Sequence, residues 1–89
     1  MTARVTGRVQ GVGFRWWARQ QAAELHLTGW VMNADDERGV ELVAEGDASD
    51  LDVLERRLQA GPDGSRVDAV DASRSPASGE FDRFGIMRG

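Results

Sequence analysis

The spacing of apolar positions along this chain switches repeatedly between alternation and helical periodicity. Ala3 to Val9 alternates, with Val5, Gly7 and Val9 on one face and Arg4, Thr6 and Arg8 on the other, which predicts a strand. The turn Gln10-Gly11-Val12-Gly13 follows. Phe14 to Leu25 then places Phe14, Trp17, Ala18, Ala22 and Leu25 on one helical stripe. That helix is expected to stop near His26, because histidine tolerates the left-handed conformation that closes many helices. Thr28 to Asn33 reads as a short strand centred on Trp30 and Val31, and the polar residues Ala34 to Gly39 read as a hairpin turn into a strand from Val40 to Glu45. Asp47 or Ser49 is a candidate N-cap for a second helix with the stripe Leu51, Leu54 and Leu58, ended by Gly61-Pro62. Arg66 to Ala72 and Phe81 to Arg88 supply the remaining strands, with Phe84 and Ile86 pointing inward. The first strand has little lead-in, so its first pairings are expected to fray.

The order β-α-β-β-α-β predicts an α+β fold of the ferredoxin-like, split βαβ type: a mainly antiparallel sheet with both helices on one face. In that topology the central strands lie side by side, so the end of the second strand comes near the turn after the first. There is no internal repeat and no linker, so residues 1–89 are read as a single domain with room for one core and one shallow site.

Composition narrows the chemistry. Without cysteine there is no disulfide, thiolate nucleophile or Cys-based zinc site, and His26 is the lone histidine. No apolar run reaches membrane-spanning length and no signal peptide opens the chain, so a cytoplasmic protein with no membrane partner is expected. The net charge of −4 argues against a nucleic-acid partner, since phosphate-backbone affinity comes from clustered positive charge. RNA-recognition domains share this topology but need sheet-face aromatics and a basic face, and tyrosine is absent here.

The segment Gly7-Arg8-Val9-Gln10-Gly11-Val12-Gly13-Phe14-Arg15 holds the candidate chemistry. It joins a strand to a helix through a turn with two glycines. Such a turn aims backbone N–H groups into one concavity, and the helix N-terminus adds positive charge. Arg15 would close the concavity with a two-pronged grip on phosphate or carboxylate oxygens. The competing reading is an ordinary glycine turn followed by a solvated arginine. No Gly-Lys-Ser/Thr ending marks a nucleotide loop, and the third glycine of a dinucleotide fingerprint is missing. Asn33 is either a turn-forming asparagine or an amide that holds a water by donor and acceptor together. Trp16 either lies over the mouth of the cradle or packs as a partly exposed aromatic. His26 reads as a helix-end residue, Asp35, Asp36 and Glu37 as a solvated hairpin tip, and Ser49 and Ser65 have no base at catalytic spacing.

Gly7 to Arg15 resembles the signature loop of the acylphosphatase family, and Gly29-Trp30-Val31-Met32-Asn33 resembles that family's second motif at the expected distance. Val40 to Asp47, Gly61-Pro62 and Gly79-Glu80-Phe81 fit as well, so the resemblance covers nearly the whole chain. It implies hydrolysis of acyl phosphates to a carboxylate and inorganic phosphate without metal or organic cofactor. Arg15 then matches the phosphate-binding arginine. The backbone of Gln10, Gly11, Val12, Gly13, Phe14 and Arg15 matches the phosphate cradle, and Asn33 matches the residue that positions the attacking water. The chain departs from the pattern in a turn after Asn33 that is one residue longer, in Ala34 where some members carry threonine, and in His26 where glycine is frequent.

The side-chain inventory agrees with that chemistry. A mixed anhydride has a carboxylate leaving group that departs without strong protonation, so positioning and charge stabilisation carry the reaction. Direct in-line attack by water, without a phosphoenzyme, in a monomer binding acyl phosphate and inorganic phosphate is the expectation. Two alternatives remain: a non-catalytic sensor of phosphorylated metabolites, and the acylphosphatase-like domain that carbamoyl-transfer maturation proteins carry at one end. The length favours a stand-alone enzyme.

Overall fold

The computed structural model describes residues 1–88. Among these, the elements run β1 (Thr2–Arg8), α1 (Phe14–Glu24), β2 (Thr28–Asn33), β3 (Gly39–Glu45), α2 (Ala48–Ala60), β4 (Arg66–Ser73) and β5 (Phe84–Met87). The strands form one sheet in the order β4-β1-β3-β2-β5. β3 is antiparallel to β1 and to β2, β4 is antiparallel to β1, and β5 runs parallel to β2 at the edge. The ferredoxin-like split βαβ arrangement is therefore present, extended by a fifth strand.

Period-two alternation builds the inner face of the sheet from Ala3, Val5 and Val9, Val31, Val40, Leu42, Ala44 and Phe84. The helical stripes Phe14, Ala18, Ala22 and Leu51, Leu54, Leu58 pack on that face in one continuous cluster. Trp17 and Leu25, the other members of the α1 stripe, are partly buried against it. α1 lies over β2 and β5, and α2 over β4. No helix among the described residues is long and apolar enough to cross a membrane.

Helix α1 ends at Glu24, one residue before the expected limit, and His26 adopts φ 56° as its left-handed terminator. His26 N–H donates to Ala23 O and Leu27 N–H to Ala22 O, which satisfies carbonyls the helix end would leave open. Asp47 takes the N-cap place of α2, but its side chain makes no capping bond.

Two expectations are corrected. The N-terminus does not fray: Met1 is buried, its α-amino group donates to Ala44 O at 2.7 Å, and Ala44 N–H returns a bond to Met1 O. Burial, helped by nearby Arg74 and opposed by Glu45, lowers the pKa of that amino group. The last strand starts at Phe84 rather than Phe81. Residues 81–83 instead complete a strap that must cross from β4 at one edge of the sheet to β5 at the other. Arg74 anchors the strap to Asp52 and Glu55 of α2, and Glu45 at the end of β3 accepts bonds from the Ser78 N–H, the Ser78 hydroxyl and the Gly79 N–H. Gly29 N–H donates to Arg83 O to finish the crossing.

The strap occupies one end of the sheet and leaves the other open. β1 and β2 are not neighbours, because β3 lies between them, but the two antiparallel pairings make them run the same way. β5 runs the same way again. The C-terminal ends of β1, β2 and β5 thus meet at the end of the sheet away from the strap.

Candidate active site

At that open end lies a cleft of about 270 Å³. Gly11, Gly13, Phe14, Arg15 and Trp16 line it from the turn after β1, Asn33 from the last position of β2, and Ile86 and Arg88 from the end of β5. Its floor includes Val9, which is almost fully buried. Residues far apart in sequence meet here because three parallel strands deliver their ends together.

The wall at the start of α1 is made for negative charge. Gly13 is the N-cap with φ 77°, and it has no side chain with which to cap the helix. The first intrahelical bond of this turn runs from Trp17 N–H to Gly13 O, so the N–H groups of Phe14, Arg15 and Trp16 lack intrahelical partners. No acidic residue occupies the first turn to neutralise the helix dipole. Gly11, at φ 75°, is the second left-handed position in the turn. A Cβ at Gly11 or Gly13 would meet nothing within 4 Å, so glycine is needed there for its conformation and not for space.

Of the six cradle positions expected from sequence, Gly11, Gly13, Phe14 and Arg15 line the cleft. Val12 and Gln10 are expected to contribute their backbone alone, and the Val12 side chain is partly buried against the core. Gln10 turns its side chain toward the β2–β3 hairpin, where Nε2 donates to Ala34 O at 3.1 Å and Gly39 O at 2.7 Å. Ala34 N–H also donates to Gly39 O at 2.9 Å. The residue following Asn33 is thereby fastened to the cradle loop. Among the described residues, neither the Arg15 guanidinium nor the Asn33 side-chain amide is engaged by a protein side chain or carbonyl, and both residues line the cleft.

The remaining candidates lie elsewhere. His26 borders a different hollow, with Arg19, Asp82 and Phe84. Asp36 pairs with Arg4 and accepts from Arg38 N–H, so the hairpin tip is held by one ion pair and one backbone hydrogen bond. Among the described residues, no group of three or more histidine, aspartate or glutamate side chains is placed to hold a metal. Ser65 hydroxyl donates to Pro62 O, and Ser49 lies in the first turn of α2.

The family model for acylphosphatase matches residues 1–86. The chain belongs to the acylphosphatase family. It is 51% identical to the acylphosphatase of Paenarthrobacter aurescens over 98% of this chain and 92% of that protein. It is 49% identical to that of Methylococcus capsulatus over 94% of this chain and 90% of the relative. The crystal structure of the acylphosphatase from Bacillus subtilis superposes with a TM-score of 0.92 at 36% identity, covering 97% of this chain and 94% of that one. T. kodakarensis HypF contains the same fold, with a TM-score of 0.84 at 30% identity; the match takes in all of this chain and 12% of that longer one. As an acylphosphatase, the chain hydrolyses the anhydride bond of small acyl phosphates.

Proposed function

We propose that this cleft binds the phosphoryl group of an acyl phosphate and directs water onto it in line with the departing carboxylate. One observation carries the reading: Arg15 in the first turn of α1, the left-handed glycine turn before it and Asn33 at the end of β2 line one cleft. The free N–H groups at the start of α1 and the Arg15 guanidinium take the phosphoryl oxygens, whose charge spreads as the transferred group loosens. Asn33 holds the attacking water with its amide. The phosphoryl oxygens accept the water's proton, so neither a protein base nor a phosphoenzyme is required. The cleft supplies two arginines and, among the described residues, no carboxylate or imidazole. Hydrolysis is therefore assigned to positioning and charge alone, without a metal. Residues 1–89 act as one domain and as a monomer in the cytoplasm, with acyl phosphate and inorganic phosphate as ligands and no nucleic-acid partner.

The test is hydrolysis of an aromatic acyl phosphate beside a phosphate monoester, with a chelator present. Turnover of the acyl phosphate alone is expected. Equal turnover of the monoester, or loss of activity that magnesium restores, would refute the mechanism. Phosphate binding without any turnover would instead identify a sensor.

A further inference from the structure

Three aromatic residues open or follow the first turn of α1, and they have different surroundings. Phe14 is sealed in the core, and Trp17 packs on it with ring centroids 5.3 Å apart. Trp16 stands apart from both, 61% exposed, on the cleft wall next to Arg15. Water contact with so much indole surface is unfavourable, and an exposed aromatic at the rim of a polar cleft is well suited to a ligand's apolar part. The ring is also steadied. The Arg19 guanidinium carbon lies over it, 5.3 Å from the ring centroid, one helical turn along. Arg19 does not line the cleft, so it buttresses the indole from outside.

The cleft extends beyond the phosphoryl-binding turn. Its remaining apolar rim is Ile86, brought in by β5. Val9 and Phe14 are sealed in the core, so Trp16 and Ile86 are the apolar side chains this lining leaves accessible. We propose that Trp16, braced by Arg19 and joined by Ile86, is the platform for the acyl group, so that the enzyme selects acyl phosphates with a flat, apolar, aromatic acyl moiety. The inference rests on the reading of the cleft as an acyl phosphate site and adds to it the substrate class.

Two unreactive ligands separate the acyl preference from catalysis. Phenacylphosphonate and acetonylphosphonate replace the bridging oxygen of benzoyl and acetyl phosphate by a methylene group, and differ only in the acyl substituent. Titration calorimetry should find the phenyl compound bound more tightly by the unaltered chain. Trp16→Ala should reduce that preference about five- to tenfold, whereas Trp16→Phe should keep most of it. Equal affinity for the two ligands in the unaltered chain overturns the platform. So does an unchanged preference in Trp16→Ala whose thermal melt shows it folded. Failure to hydrolyse either acyl phosphate, by contrast, counts against the catalytic reading and leaves these binding ratios interpretable.

Discussion

The Gln10 side-chain amide donates to the Gly39 carbonyl at 2.7 Å, joining residues 29 positions apart. With its second bond to Ala34 O, it clasps both sides of the hairpin that begins just after Asn33. The clasp sets where the Asn33 amide sits relative to the glycine turn, the two parts to which the proposed mechanism gives the water and the phosphate. Gln10→Ala should cost about 1 kcal/mol, or roughly 4–8 °C in Tm for a domain of this size. It should depress kcat more than it weakens inhibition by phosphate. Gln10→Glu should be worse on both measures, since a carboxylate meets two carbonyls without a donor. If both variants melt and turn over like the parent, the clasp has no positioning role.

The proposed mechanism gives Arg15 and Asn33 different tasks, so they should fail differently. Arg15→Ala should weaken phosphate inhibition and lower kcat about 10²–10³-fold, the usual effect of losing one well-placed electrostatic donor. Asn33→Ala should reduce kcat heavily while phosphate still binds. Near-normal kcat in a folded Asn33→Ala protein would remove Asn33 from the mechanism. Unchanged phosphate inhibition in Arg15→Ala would place the anion site elsewhere.

Leu54 is fully buried where α2 meets the core. Leu54→Ala should destabilise by about 2–5 kcal/mol, counting the lost transfer energy and the cavity left behind. Denaturant titration gives the value, and a change near zero would contradict this packing.

The two helical stripes, the alternating strands and the left-handed His26 were legible because each is a local pattern of apolar spacing or backbone preference. Arg15 and Asn33 were legible as motif residues. Ile86 and Arg88 were not legible as cleft residues, because they reach the site only through parallel pairing of β5 with β2, which no nearby residue records. The Gln10 side chain was overlooked for a related reason: its partners are backbone carbonyls, which leave no trace in sequence. Asp47 shows the opposite failure, a good capping residue whose side chain makes no cap. Phe81 to Arg83 read as strand, but the strap needs those residues to reach the sheet edge.

The strap gives a pH prediction. Bonds from the Ser78 N–H foremost, with further ones from the Ser78 hydroxyl and Gly79 N–H, lower the pKa of Glu45 against a weaker opposing effect of desolvation. A carboxylate whose folded pKa is depressed stabilises fully above its unfolded value, about 4.3. The contribution disappears as pH falls through the folded value. The strap should therefore loosen below that range. The exchange protection of the Ser78 and Gly79 amides, taken relative to the intrinsic rate at each pH, should fall there in the parent, whereas Glu45→Gln should show low protection at neutral pH and little further change on acidification. Protection that persists in Glu45→Gln would remove the carboxylate as the anchor.

The placement of charge has a consequence for traffic through the cleft. Arg15 and Arg88 line it on a molecule whose formal net charge is −4. An arriving acyl phosphate is attracted along the approach to those arginines, against the repulsion of the molecule's net negative charge. Hydrolysis then converts one anionic molecule into two. Both products are anions, so the arginines that draw the substrate in also hold the product phosphate. Added salt should weaken substrate capture and product retention together.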